Sequence, residues 1–186
     1  MRKLTFVLAM AVVGAACSQS PTAPEFTVPL SVTAVKTGEP LSSTHLAGEH
    51  EVPARETLAQ GQAIMKVAED RQSISYKLIA SNIDNVIAAH IHVGPANNTG
   101  PVVVFLFGKV TVQPGGGRHD GILSEGTFTA ADFVNTLAGQ PFAALLAQMA
   151  AGNTYVNVHT NDGVAPTNTG PGDFPGGEIR GQIIRK

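Results

Sequence analysis

Alternation of apolar and polar residues over short stretches is the feature that most constrains this chain. In "SISYKLIAS" (Ser73–Ser81), Ile74, Tyr76, Leu78 and Ala80 stand two residues apart, the period of a strand with one buried face. Comparable strand candidates cover Leu41–Glu51, Gln62–Glu69, Val86–Val93, Val102–Val110 and Gly121–Phe128, with turn residues between them. Two more, "NTYVNVHT" and "GGEIRGQII", flank a Gly/Pro-rich loop near the end. Short strands at this spacing predict an all-β, antiparallel sandwich or barrel. One or two short helices interrupt it. Thr129 and Asp132 form a capping-box pattern, and Pro141 opens a segment in which Phe142, Leu145, Leu146 and Met149 share a helical face that Gly152 would end.

The chemistry concentrates in "AAHIHVGP" (88–95). His90 and His92 fall on one face of a strand, about 7 Å apart at Cβ, and Ile91 and Val93 on the other. In "YVNVHT", Tyr155, Asn157 and His159 share a face; in "GGEIRGQI", Glu178, Arg180 and Gln182 do. These two strands are expected to be half-buried, each with one polar side. Two imidazoles from one strand and a third from a neighbour make a three-nitrogen set suited to zinc or copper. His90, His92 and His159 are therefore the candidate metal ligands, and Asn157 or Glu178 the candidates to orient a ring from behind. Metal would bind neutral imidazoles, so affinity should fall below the ordinary histidine value of about 6.5. The competing reading is a buried polar network that fixes strand register without metal; catalysis is a distant third. His45, His50 and His119 are assigned no role.

Residues 1–16 read as an export signal: Met1-Arg2-Lys3, an apolar stretch from Leu4 to Gly14 too short to span a bilayer, then Ala15-Ala16. Cys17, the only cysteine, rules out a disulfide framework and sits where a lipoprotein is acylated. The stretch resembles a lipobox, with Gly14 where Leu is usual. The expected product is a lipid-anchored protein of the cell envelope, on the periplasmic or outer-membrane face. Residues 17–40, with four prolines and no sustained period, read as the lipidated cysteine and a flexible tether, and 41–186 as the folded domain. Without Arg2 and Lys3, ten basic residues face fourteen acidic ones, which excludes sequence-independent nucleic-acid binding.

Four ordered motifs, "GEHEVP" (48–53), "AAHIHVGPANNTGPVVVFLF" (88–107), "YVNVHT" (155–160) and "PGGEIRGQI" (175–183), together resemble the CHRD domain, first known from the animal protein chordin. The resemblance implies an immunoglobulin-like sandwich and a binding role, since chordin binds secreted growth factors. His50 and the long loop from Asn161 to Gly177 depart from the usual pattern. The "HIH" strand is also similar to the copper-ligand strand of copper-zinc superoxide dismutase, but no disulfide pair, zinc-ligand cluster or electrostatic-loop arginine accompanies it. No GxSxG, HExxH or Walker-type loop is present, and "PGGGRHDG" (114–121) reads as a flexible hairpin loop. "NTGP" at 98–101 recurs at 168–171, after a second histidine-bearing strand, as if two related hairpins flanked one site. The chain is thus expected to be a binding module that takes copper or zinc, or one that takes an extracytoplasmic protein or glycan through its long loops.

Overall fold

The computed structural model describes residues 40–108 and 116–184. The export signal, Cys17 and most of the tether lie outside the described residues. Eight strands follow in chain order: β1 (Pro40–Ala47), β2 (Gln60–Val67), β3 (Ser73–Asp84), β4 (Val86–Val93), β5 (Val102–Phe107), β6 (Arg118–Thr129), β7 (Thr154–Thr160) and β8 (Ile179–Gln182), with one helix, α1 (Phe142–Ala150), between β6 and β7. The fold is all-β and antiparallel throughout.

The eight strands form one continuous sheet, β5-β4-β7-β8-β1-β2-β3-β6, curled so that its edge strands β5 and β6 approach each other. One seam joins them: the Leu106 carbonyl on β5 accepts from the Tyr76 hydroxyl on β3 and the Ser124 hydroxyl on β6, each at 2.7 Å. The two layers of the expected sandwich are halves of one sheet. Ile74, Leu78, Ile91, Val103, Phe128, Val156 and Ile179 meet in a single core between them. Each such side chain contributes about 1.5–3 kcal/mol of hydrophobic burial.

Local signals mostly hold at their predicted places. The Thr129–Asp132 capping box forms, but only a single 3-10 turn (Ala130–Asp132) follows it. The apolar face of α1 packs Phe142, Leu145, Leu146 and Met149 into the core, and Gly152 closes the helix at φ 71°. β1 stops at Ala47, where Gly48–His50 turns instead of extending. β6 begins at Arg118, inside the stretch read as a flexible loop, because Arg118 and His119 pair with Asp84 and Ile83.

The last two strands depart most from expectation. β7 is buried along its whole length, on both faces. Its apolar face meets the core. Its polar face and that of β4 lie beneath the 94–101 turn, the 161–177 loop and the segment around Glu51, whose polar groups supply partners that open solvent was expected to supply.

Candidate functional site

Register builds the histidine cluster. β4 pairs with β7 so that Ala88 faces His159, His90 faces Asn157 and His92 faces Tyr155, which sets all three histidines on one face of adjacent strands. On its other side β4 pairs irregularly with β5, with register shifts between Ala89 and His90 and between Ile91 and His92. Such bulges re-aim side chains beside functional sites. His90 Nδ1 lies 3.1 Å from His159 Nε2, and one ligand nitrogen from each of the three rings falls within 4.8 Å of the others.

Backbone carbonyls orient two of the rings. His92 Nδ1 donates to the Gly100 carbonyl at 2.8 Å and His159 Nδ1 to that of Pro175 at 2.9 Å. In each ring this leaves Nε2 as the lone-pair nitrogen, the arrangement by which second-shell carbonyls prepare metal-ligating histidines. The Nε2 atoms of His90 and His92 are buried without a hydrogen-bond partner among the described residues. Two nitrogens bound tetrahedrally at 2.0–2.1 Å stand about 3.3 Å apart. The pair of His90 Nδ1 and His159 Nε2 already matches that spacing, and the widest separation in the set, 4.8 Å, would have to close by about 1.5 Å.

Burial also fixes protonation. Loss of water pushes His90 down to about 3, helped by the charges of His159 and His92. It pushes His159 to about 4, against the Pro175 hydrogen bond and with a smaller push from His92. His92 is lowered by the same burial, while its bond to Gly100 and the polar side chain of Asn157 pull the other way. Proton competition for a metal therefore begins well below the value of 6.5 expected from unperturbed imidazoles.

The predicted ring-orienting residues divide. Asn157 sits in the cluster opposite His90, with its Oδ1 buried and unpartnered. Glu178 does not reach a ring. It precedes β8, next to Gly177 at φ 126°, and its carboxylate accepts from Thr57 Oγ1 and Thr160 Oγ1, both at 2.6 Å, and from the Gly172 amide at 2.9 Å. It ties the long loop to the sheet. Of the histidines assigned no role, His50 donates from Nδ1 to the Arg180 carbonyl at 3.1 Å. The two NTGP segments do not act alike, since the first supplies the Gly100 carbonyl to His92 while Thr169 in the second bonds Asp173.

Two residues beside the cluster escaped prediction. Glu51 is buried against Asn157 and Gly177, and burial raises its carboxyl to about 7 although the charges of Arg180 and Arg55 oppose the rise. Only its place in "GEHEVP" marked it. Arg180 is 1% exposed; its guanidinium lies 3.4 Å from the centre of the Tyr155 ring, which stacks at 4.7 Å and 8° on His92.

The sequence profile of the CHRD domain matches residues 42–183, which takes in every strand that carries this site. The chain belongs to the CHRD family. No curated protein and no solved structure matched it. Membership gives a β-fold binding domain, and this CHRD domain carries its three close histidines under loops on one outer face of the sheet.

Proposed function

We propose that this CHRD domain is a transition-metal-binding module, with His90, His92 and His159 as ligands for copper or zinc, exported and held at the cell envelope by a lipid on Cys17. One observation carries the metal reading: three buried imidazoles converge within 4.8 Å, two of them oriented through Nδ1 by backbone carbonyls. A three-nitrogen set leaves a coordination position open for water or a further ligand. The anchor rests on Ala15-Ala16-Cys17 after a short apolar stretch.

The hydrogen bond between His90 and His159 supports a second reading, a metal-free polar network that holds the loops of a protein- or glycan-binding surface. Elemental analysis of tag-free protein from its native compartment, followed by calorimetric titration with Zn(II) and Cu(II) at neutral pH, separates them. A stoichiometric metal and a saturable site support the metal module. No saturable site for either ion refutes it and leaves the network.

A further inference from the structure

Asn157 stands in the middle of the three rings. It faces His90 across the β4–β7 pair, where opposite side chains start about 5 Å apart, lies diagonal to His92, and is two residues from His159 on its own strand. It is 3% exposed, and its Oδ1 has no hydrogen-bond partner among the described residues. Its Nδ2 faces the bend at Gly177 and the Glu51 carboxyl, which turns the oxygen toward the rings.

His92 leaves that oxygen unsatisfied. A neutral imidazole has one N–H, and His92 gives it from Nδ1 to the Gly100 carbonyl. Asn157 is a second acceptor beside the same ring, so the lone pairs of His92 Nε2 and Asn157 Oδ1 are buried together with no hydrogen between them. The other tautomer only moves the conflict to Gly100. A cation bonded to both atoms removes it without placing a proton on the second nitrogen. Such an ion sits 2.0–2.1 Å from each donor, closer than any hydrogen-bonded water, so it fits between atoms that solvent does not reach.

We propose that Asn157 Oδ1 is the fourth ligand of the histidine site, which makes it a closed centre of three nitrogens and one oxygen for a divalent ion. This role rests on the three-histidine reading above and fills the position that three nitrogens leave open. A closed sphere holds an ion without presenting it to a substrate, as structural zinc sites do. An amide oxygen is a harder donor than imidazole and favours Zn(II) or Cu(II) over Cu(I).

Loss of a residue that only orients a ligand also weakens metal binding about ten- to a hundredfold, so affinity alone does not decide the role. The test loads the mature, tag-free chain with stoichiometric Cu(II) in heavy water and reads coordinated water by pulsed electron paramagnetic resonance. An ion that enters hydrated keeps a water wherever the protein supplies no donor. The expected result is no equatorial water deuterons in the wild type and a clear signal from them in Asn157→Leu, which removes the oxygen at similar volume. Calorimetry should show Zn(II) binding at least about tenfold weaker in the same variant. Asn157→Asp, which keeps an oxygen donor, should exclude the water as the wild type does, and it carries the test if the leucine variant fails to fold. Equatorial water in the loaded wild type or in Asn157→Asp, or none in Asn157→Leu, overturns the fourth ligand and leaves the three-histidine site standing. No saturable binding of either ion by the wild type overturns both.

Discussion

Glu51→Gln should change how stability depends on pH while leaving the shape of the site nearly unaltered. The Glu51 carboxyl titrates near 7 in the folded chain against 4.5 as its ordinary value. A folded value raised above the unfolded one means that the native state keeps a proton the unfolded state has released. That contribution is fully present below about 4.5 and is lost as pH rises through about 7. Integrating between pH 5 and pH 8, the wild type loses about 2.5 kcal/mol from this group alone, whereas glutamine, which cannot ionise, loses none. Urea unfolding of chelator-treated wild type and variant at pH 5, 6, 7 and 8 measures the difference. The gap in unfolding free energy should move by about 2.5 kcal/mol in favour of the variant between pH 5 and 8, with every other titrating group cancelling. Parallel profiles, within about 0.5 kcal/mol across that range, would refute the claim that burial holds this carboxyl uncharged.

The histidines run the opposite way. With folded values near 3 for His90 and 4 for His159 against 6.5, the unfolded chain takes up protons first as pH falls, and each ring should remove about 2 kcal/mol between pH 8 and 5. The Glu51→Gln variant, freed of the offset, should therefore lose about 4 kcal/mol over that interval in the same urea series; a flat profile contradicts the burial of the rings. Zn(II) or Cu(II) at a hundred times its dissociation constant should add about 2.7 kcal/mol to wild-type stability in a thermal melt. His90→Ala, His92→Ala or His159→Ala should abolish most of that gain and His119→Ala should leave it whole, whereas a purely structural network loses apo stability in the first three and gains nothing from metal. A chain beginning at Thr37 should match the mature protein within about 0.5 kcal/mol, and a larger loss would show that the preceding segment packs on the domain. Cys17→Ala should move the protein from the membrane to the soluble fraction of fractionated cells, and wild-type mass spectra should show a lipid on Cys17.

Strand faces were legible in the sequence because alternation is local. β4 was read with both ends correct, Val86–Val93, and the sharing of a face by His90 and His92 follows from strand geometry alone. Register was not legible. That β7 would slide His159 opposite Ala88, within hydrogen-bonding reach of His90, depends on pairing between segments about 70 residues apart. Alternation also failed where a strand had not yet begun: Glu178 was placed on the face of Arg180, but it precedes β8 and its carboxylate goes to Thr57 and Thr160. Glu51 was missed for a different reason. Nothing in a short acidic turn tells that distant loops will close over one carboxylate and leave Glu49 two residues earlier in solvent. The same closure buried β7, read as half-wet, along its whole length and left only Gln182 of β8 partly exposed.

β8 lies between β7 and β1, so the final strand slots into the middle of the sheet, not onto its rim. During synthesis from the N-terminus, β4 with His90 and His92 is complete some ninety residues before Arg180 is added. Until the last strand arrives, β1 and β7 each carry an open row of backbone donors and acceptors, and the stack of Arg180, Tyr155 and His92 cannot form. The Ala47–Arg180 pairing bridges almost the whole domain in sequence, a closure of the kind that slows folding. The growing chain thus presents His90 and His92 first as a pair on an unfinished sheet, and gains the third close imidazole and its buried cation only once its tail has followed.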